Sequence, residues 1–312
     1  MVYLEDKGGL FDAPLEVVWK YLLDGDAHDK AHTSTRNPSL KPISETSFIY
    51  SSERYFDGRW VPESLRLGVF QPLGMSTEML EGAFAGSKMF YLYTSRGRRT
   101  GIDVFGDFKS DTIPPEGLLR GVRNFLAGEY RDDTLAIRAF APSTADADDQ
   151  DRMTYLKDVG GRFDAPLETT WKYFFEGGED HDRAHPNTRN FKFRPVSENV
   201  SEFSSERNRH GGWVRESVRM TNLAPLGYVF EMLEGPISGS KLLYVYIPRG
   251  RKTRVDVYGY LASPSIPQAS LKKEVLRDLD RDFKEDAPVL KKFAREKGKK
   301  GYAIRRPAGR AT

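Results

Sequence analysis

Hydrophobic and polar residues follow the same order twice along this chain. In the first half, an alternating segment predicts a strand at about residues 2–11. Apolar residues at helical spacing then predict a helix over 14–24, and a second short helix over 26–32 follows a glycine break. The first half therefore opens with one strand and two helices.

The segment that follows is predicted to be rich in β-strands and to end in one long helix. Between about residues 40 and 109, alternating segments separated by glycine turns predict about six antiparallel strands. Apolar residues then recur every four positions in both halves, at Leu118, Val122, Leu126 and Tyr130 and again at Leu271, Val275, Leu279 and Phe283. The order predicts an α+β fold in which a curved antiparallel sheet grips a long C-terminal helix, with room for a cavity between them.

The repetition of this order is a duplication. Residues 28–140 align with 181–293 at a constant offset of 153, with 48 identities in 113 positions. A period of this length is a whole domain rather than a solenoid unit. The predicted division is domain 1 over 1–141, an acidic linker over 142–152, domain 2 over 153–296 and a basic tail over 297–312.

The amino-acid composition limits the kinds of functional site that the chain can form. The chain has no cysteine, which excludes disulfides, thiolate nucleophiles and cysteine–zinc sites. No segment has the layout of a signal peptide or the length of a transmembrane helix, so we expect a cytoplasmic protein. Residues 291–312 carry nine Lys or Arg and one acid. This basic end is either a solvated terminus or a weak contact for an anionic surface.

The opening phrase of each copy carries a family resemblance. Phe-Asp-Ala-Pro-Leu-Glu at 11–16, continuing to Trp19-Lys20-Tyr21, recurs at 163–168 with Trp171-Lys172-Tyr173. With the element order, it resembles the helix-grip superfamily, often called SRPBCC, which includes START lipid-transfer domains, pollen-allergen-like carriers and polyketide aromatase/cyclases. The resemblance covers both copies and implies a hydrophobic cavity in each domain. It leaves the function open, because the superfamily includes carriers, enzymes and co-chaperones.

The hairpin around Asp57-Gly58 predicts an inward carboxylate. That turn places Arg54 opposite Val61 and Ser52 opposite Glu63, so Glu63 shares the apolar face with Arg54. The pair either orients a polar ligand group or serves as a structural ion pair. Tyrosines on a neighbouring strand either contact a ligand or pack in the sheet. The predicted ligand-binding residues are Tyr50, Ser52, Arg54, Glu63, Tyr91 and Tyr93 in copy one, and Phe203, Ser205, Arg207, Glu216, Tyr244 and Tyr246 in copy two.

Each copy also carries a histidine pair at i,i+4 spacing, His28 with His32 and His181 with His185. The pair either caps a short helix and bonds the following loop, acts at the mouth of the cavity, or supplies half of a metal site. Asp26 is the nearest third ligand along the sequence. Metal is the weakest of the three interpretations, and no cofactor is predicted.

Three functions fit these features. The first is binding or transport of a lipid-like or polyketide-like molecule in the cavity of each domain. The second is an aromatase/cyclase-like enzyme acting on such a molecule. The third is a co-chaperone-like interaction module that uses the exposed sheet and the basic tail. A hydrophobic small molecule is the expected partner.

Overall fold

A computed structural model of the chain describes residues 2–140, 153–176, 184–209 and 211–299. The predicted linker and most of the predicted basic tail lie outside these residues, as does His181. None of the helices in the described ranges is long and apolar enough to cross a membrane.

The first half folds as predicted from the hydrophobic pattern. Its seven strands and three helices follow one another in the order strand, two helices, six strands and one long helix. Their bounds are β1 Val2–Phe11, α1 Leu15–Leu23, α2 Gly25–Ala31, β2 Thr35–Ser44, β3 Ser47–Phe56, β4 Arg59–Phe70, β5 Gly74–Glu81, β6 Lys88–Arg96, β7 Arg99–Phe108 and α3 Pro115–Phe140.

The second half repeats the arrangement. Its described elements are β8 Thr154–Phe163, α4 Leu167–Glu176, β9 Thr188–Pro195, β10 Val200–Arg209, β11 Gly212–Asn222, β12 Gly227–Glu234, β13 Lys241–Arg249, β14 Lys252–Leu261 and α5 Gln268–Lys299. Helix α5 continues three residues past 296, the predicted end of domain 2.

Each half builds one antiparallel seven-stranded sheet, with the order β1-β7-β6-β5-β4-β3-β2 in the first and β8-β14-β13-β12-β11-β10-β9 in the second. The long helix covers one face of its sheet, which we call the concave face. Helix α3 buries Leu118, Val122 and Leu126 there, at the predicted spacing. Helix α5 does the same with Leu271, Val275 and Leu279.

The opposite, convex faces of the two sheets pack against each other. On β13, Leu243, Val245 and Ile247 point away from the inward tyrosines, yet all three are fully buried within one cluster that includes domain 1 residues. Phe105 and Tyr258 hold equivalent places in the two copies, and their rings lie 5.4 Å apart. Contact between equivalent positions indicates a pseudo-two-fold interface.

Polar contacts support the same interface. The backbone N–H of Ser95 donates to the hydroxyl of Tyr260 at 2.9 Å. Glu5 of β1 pairs with Arg254 of β14 at 3.1 Å. Arg254 replaces Gly101 of the first copy, so this ion pair is specific to one side of the interface. The convex surface that an interaction module would use is thus partly covered within the chain.

We expect truncation at this interface to destabilise the whole chain. Tyr258→Ala removes a ring that is 1 % exposed, and large-to-small aromatic changes in a core cost about 3–5 kcal/mol. Tyr55→Ala, at a position 51 % exposed, is the matched control. Denaturant unfolding of the full chain measures both. Equal stability of the two variants would contradict the interface.

The two long helices should differ in local stability. Helix α3 carries Gly117, Gly121 and Gly128 where α5 carries Ser270, Glu274 and Arg281, and each helical glycine costs about 1 kcal/mol relative to alanine. We expect faster amide hydrogen exchange over 115–130 than over 268–283. Equal or slower exchange in the first helix would show that packing overrides the glycines.

Candidate ligand-binding face

The concave face of domain 1 holds the predicted inward carboxylate. The register places Ser52 opposite Glu63 and Arg54 opposite Val61, as predicted, and both turn residues, Asp57 and Gly58, have positive φ angles. Glu63 is 4 % exposed, and its Oε2 accepts a hydrogen bond from Arg54 Nε at 2.8 Å. The geometric part of the hairpin prediction is therefore confirmed.

The long helix supplies two further carboxylates to this face. Glu129 Oε1 accepts from Arg54 Nη1 at 2.8 Å, so the guanidinium bridges a sheet carboxylate and a helix carboxylate. One turn further along the helix, Asp133 Oδ1 accepts a hydrogen bond from the hydroxyl of Tyr21 at 2.9 Å. Sheet, first helix and long helix are thus joined by polar contacts.

The histidine pair faces the same carboxylates. His32 Nε2 lies 3.2 Å from Asp133 Oδ1, and His28 Nε2 lies 3.9 Å from the same oxygen. His32 ends helix α2, and its carbonyl accepts from the backbone of Thr35, which confirms the capping position. Its imidazole, however, contacts the long helix rather than the loop at 35–37. The acid near the pair is Asp133, not Asp26, because α2 packs against α3.

Burial and charge act in opposite directions on these groups. Burial raises the pKa of Glu63 above its ordinary value, although Arg54 opposes the shift. Burial alone would lower the pKa of Arg54, but Glu129 and Glu63 outweigh it and raise that pKa. Burial would likewise lower the pKa of His32, yet its bond to Asp133 and the charge of Glu129 raise it. The pKa of His28 is lowered by burial and by His32.

The second copy forms the same kind of network with different partners. Arg207 binds Asp282, the counterpart of Glu129, through two hydrogen bonds of 3.2 and 3.0 Å. Glu216 accepts instead from Arg209 Nε at 2.8 Å, and Arg207 Nε is 3.6 Å from it. The predicted Arg207–Glu216 pair is therefore longer than its copy-one counterpart, because Arg209 competes for the carboxylate.

His185 of the second copy lies between two helix carboxylates. Its Nδ1 is 2.9 Å from Glu285 Oε2, and its Nε2 is 3.3 Å from Asp286 Oδ1. The hydroxyl of Tyr173 donates to Asp286 at 2.9 Å, as Tyr21 does to Asp133. Burial would lower the pKa of His185, but the bonds to Asp286 and Glu285 raise it to about 9.

The copies differ most where the hairpin meets the long helix. In domain 1, Phe84 lies 6.0 Å from Phe56 and 5.5 Å from Phe125, measured between ring centroids. In domain 2, Arg209 replaces Phe56, Asp278 replaces Phe125, and these two replacements form an ion pair. Two aromatic residues that both contact Phe84 in domain 1 thus correspond to an ion pair in domain 2.

The other predicted residues of domain 1 also lie on the concave face. The hydroxyl of Tyr50 donates to Asp29 Oδ1 at 3.0 Å, so it is tied to α2. Ser52 is buried, and its hydroxyl has no hydrogen-bond partner among the described residues. Tyr93 is buried with its ring 5.4 Å from Trp19. Tyr91 is half-buried, with its hydroxyl 3.7 Å from the sulfur of Met89.

In domain 2 the concave face carries a continuous series of aromatic rings. The ring of Phe203 lies 5.6 Å from Phe191 and 5.4 Å from Phe230, and the series continues to Tyr228, which stacks on Tyr244 at 4.7 Å. The hydroxyl of Tyr246 donates to that of Tyr228 at 3.0 Å. We call this series the aromatic ladder; its members are Phe191, Phe203, Phe230, Tyr228, Tyr244 and Tyr246.

The concave faces are open at one edge and filled at the centre. Strands β2 and β9 are exposed along almost their whole length, including Leu40 at 57 % and Phe191 at 45 %. Two cavities formed by the described residues are both open to solvent. One, of ≈ 220 Å³, includes Arg209, Arg277 and Arg281, and the other, of ≈ 360 Å³, is lined by β9, β10 and β11 and includes Ser205.

Sequence reasoning missed the carboxylates of the long helix. Glu129 and Asp133 follow Leu126 at the spacing of the buried helix face, and their counterparts Asp282 and Asp286 keep both negative charges. Acidic residues on an apolar stripe in both copies were the available signal. Arg209 gave no such signal, because its counterpart is Phe56.

Comparison with known proteins bears on the fold. No protein-family model matches the sequence, and none of the curated proteins resembles it closely enough to count as a relative. Among solved structures, the chain is similar to the di-domain ARO/CYC StfQ from the steffimycin biosynthetic pathway, with 12 % identity and a TM-score of 0.43, covering 96 % of this chain and 100 % of that one.

Two further solved structures are similar to the chain at comparably low sequence identity. The di-domain ARO/CYC BexL from the BE-7585A biosynthetic pathway is 10 % identical with a TM-score of 0.39, covering 95 % of this chain and 98 % of that one. A START superfamily protein from Mycobacterium smegmatis is 10 % identical with a TM-score of 0.38, covering 45 % of this chain and 99 % of that one.

The chain's own topology decides the fold, because each half closes an antiparallel sheet around one C-terminal helix after a helical insertion behind the first strand. Both halves are helix-grip domains. The tandem helix-grip fold predicted from the sequence is therefore confirmed.

The buried pair of the first helix-grip domain should matter for stability. Glu63→Gln removes a charge that accepts from Arg54, and a hydrogen bond to a charged group contributes roughly 1.5–3 kcal/mol. Glu78→Gln is the matched control, because its partner Arg66 and Glu78 itself are both about a quarter exposed, and exposed pairs contribute at most about 1 kcal/mol. Chemical denaturation compares the two. A smaller loss for Glu63→Gln than for Glu78→Gln would contradict the buried pair.

The second helix-grip domain should lose stability as the pH rises. His185 has a raised pKa of about 9 in the folded chain against about 6.5 when unfolded. Its contribution is therefore fully present below pH 6.5 and disappears as the pH rises through 9. Over that window, we expect wild type to lose on the order of 3 kcal/mol more than His185→Gln. Parallel stability–pH curves for the two proteins would disprove the assignment.

Proposed function

We propose that the chain binds apolar small molecules, one on the concave face of each helix-grip domain. The observation that carries this proposal is the open edge of both sheets. At that edge, apolar side chains that belong to the concave face, such as Leu40 and Phe193, are each 57 % exposed. Isolated exposed apolar residues are ordinary, but a row continuous with a buried apolar face favours a bound apolar molecule.

The aromatic ladder favours a ligand with flat rings in domain 2. Phe191 at the exposed edge and Tyr246 in the buried interior are joined by rings spaced between 4.6 and 5.6 Å. Aromatic rings pack well on planar apolar molecules through offset-stacked and edge-to-face contacts. In domain 1 the corresponding positions hold Pro38, Tyr50, Thr77, Met75, Tyr91 and Tyr93. The first domain therefore favours a ligand that is less aromatic.

The charged network supports a polar group on the ligand. In domain 1, Arg54 and Glu63 lie on the same face as Tyr50 and Ser52. A buried serine hydroxyl without a protein partner is a suitable donor or acceptor for a ligand carbonyl or hydroxyl. We therefore infer an apolar body with a small oxygen-bearing group.

An enzymatic role is the second candidate, and one observation favours it. Burial raises the pKa of Glu63, and a carboxyl with a raised pKa can act as a general acid or base. Its hydrogen bond to Arg54 holds it in place, and a structural pair shows the same features. Binding requires less of the site than catalysis does, so binding is the primary proposal.

The test begins with the protein purified from its own host. Native mass spectrometry, followed by organic extraction, should show one or two co-purifying apolar molecules per chain. Adding the identified molecule to the emptied protein should restore the complex without consuming it. A protein that carries nothing and binds none of a panel of fatty acids and polycyclic aromatic compounds would contradict the proposal. Chemical conversion of the added molecule would instead support the enzymatic role.

A variant of the aromatic ladder separates the two domains. Phe203→Glu places a charge between Phe191 and Phe230, and we expect it to lower the ligand affinity of domain 2 at least about tenfold, because burying an unpaired charge costs more than 1.4 kcal/mol. Trp213→Ala is the control, since Trp213 is 40 % exposed and stacks on Arg189 away from the ladder. Calorimetric titration measures both. Identical affinities would rule out the ladder as the binding surface.

A further inference from the structure

The histidine pair of domain 1 and one carboxylate of its long helix converge on a common point. The ring centroids of His28 and His32 lie 4.6 Å apart. Asp133 Oδ1 is 3.2 Å from His32 Nε2 and 3.9 Å from His28 Nε2. One nitrogen from each ring and one oxygen of Asp133 lie within 4.8 Å of one another. The three groups come from two elements that only the folded chain brings together.

These separations match those of metal ligands. In a tetrahedral site with zinc–ligand bonds of about 2.0–2.2 Å, two ligand atoms lie roughly 3.3–3.6 Å apart. The His32–Asp133 distance of 3.2 Å is close to that value, and the His28–Asp133 distance of 3.9 Å is slightly longer. Two imidazoles and a carboxylate are a donor set that Zn²⁺ and similar divalent ions use, with the fourth position left for water or a ligand.

The surrounding charge favours a cation. The buried network of domain 1 contains Arg54 as its single positive group and the carboxylates of Glu63, Glu129 and Asp133 as its negative groups. With ionised carboxylates and neutral imidazoles, the net charge is −2. A divalent ion would neutralise the network, whereas protonation of one imidazole would leave it negative.

Groups around the three ligands are placed to orient the ligand side chains. Metal-binding histidines commonly direct their second ring nitrogen toward a carboxylate, and His32 Nδ1 lies 3.7 Å from Glu129 Oε1. That nitrogen is buried and has no hydrogen bond within the described ranges. The hydroxyl of Tyr21 holds Asp133 from the side. The side chain of His28 is 33 % exposed, which leaves solvent access to the point of convergence.

A hydrogen bond holds His32 in place, whereas His28 has a longer ion-pair contact with Asp133 and a ring contact with Tyr21. His32 bonds Asp133 directly, whereas His28 stands 3.9 Å away and contributes no hydrogen bond to it. The pattern of both histidines is nevertheless repeated in the second copy, together with the aspartate and the tyrosine, although fewer than half of the aligned positions are identical. A single ion bound by both rings would give the more distant imidazole a role as a ligand.

We propose that domain 1 binds a divalent transition-metal ion, such as Zn²⁺, through His28, His32 and Asp133. The ion lies beside the concave face, where it joins α2 to the long helix. The partly exposed side chain of His28 would leave the ion accessible to solvent. This site shares no ligand residue with the apolar-ligand proposal, although Glu129 links it to Arg54 of the hairpin pair.

The test uses the full chain, freed of any affinity tag and treated with a chelator. Zn²⁺ is titrated in the presence of a chromophoric competitor, and Co²⁺ reports coordination through its visible absorption. We expect wild type to bind one more tightly held Zn²⁺ per chain than His28→Gln does, and to lose part of its Co²⁺ absorption on that change. Zinc should also raise the Tm of wild type more than that of His28→Gln.

Two aspartate variants complete the design. Asp133→Asn should lose the same ion, whereas Asp26→Asn, which changes an exposed acid of the same short helix, should bind as wild type does. Ions held by the second copy cancel in these comparisons, because every variant keeps that copy unchanged. Circular dichroism checks that each variant is folded, and His28→Gln remains informative if Asp133→Asn is not. Equal zinc binding by wild type and His28→Gln, or none by wild type, would overturn the proposal.

Discussion

Attachment of the long helix to the concave face of its sheet is the constraint on which each domain depends. Apolar residues of the helix provide most of the contact, but they do not fix its position along the sheet, since hydrophobic contacts are non-directional. The carboxylates of the long helix fix that position. Glu129 is held by Arg54 of the sheet, and Asp133 by Tyr21 and His32 of the helices behind the first strand. Directional bonds to three elements define one position.

Comparison of the two copies shows which parts of this helix attachment differ between them. The second copy keeps a carboxylate at both helix positions, Asp282 and Asp286, while exchanging Phe56 and Phe125 for Arg209 and Asp278. The carboxylates that attach the long helix are thus present in both copies, whereas the adjacent aromatic residues of the first copy correspond to an ion pair in the second. Paired exchange is expected in a close-packed interior, where a single buried charge would be costly.

Much of the fold could be predicted from the sequence, because its signals are periodic and local. The hairpin register followed from one Asp-Gly turn and placed Glu63 and Arg54 on the inner face, as found. The site was predicted less completely. Asp133 lies about a hundred residues from His32, and no local pattern joins them; only the packing of α2 on α3 does. The Arg207–Glu216 pair is present but longer than predicted, because Arg209 lies on the concave face where the first copy has Phe56 and also binds Glu216. The roles of the predicted ligand-binding residues remain predictions.

The packing of the two convex faces has a consequence for how this chain can change over evolutionary time. Leu243 and Val245, with Phe105 and Tyr258, form a common interior that belongs to neither half. A half expressed alone would expose that apolar surface to water, so each half stabilises the other. The back of each sheet is occupied by the other, whereas the edge strands β2 and β9 stay exposed. Sequence change is therefore more restricted at the shared interior than at the exposed edges, where the two copies can diverge separately.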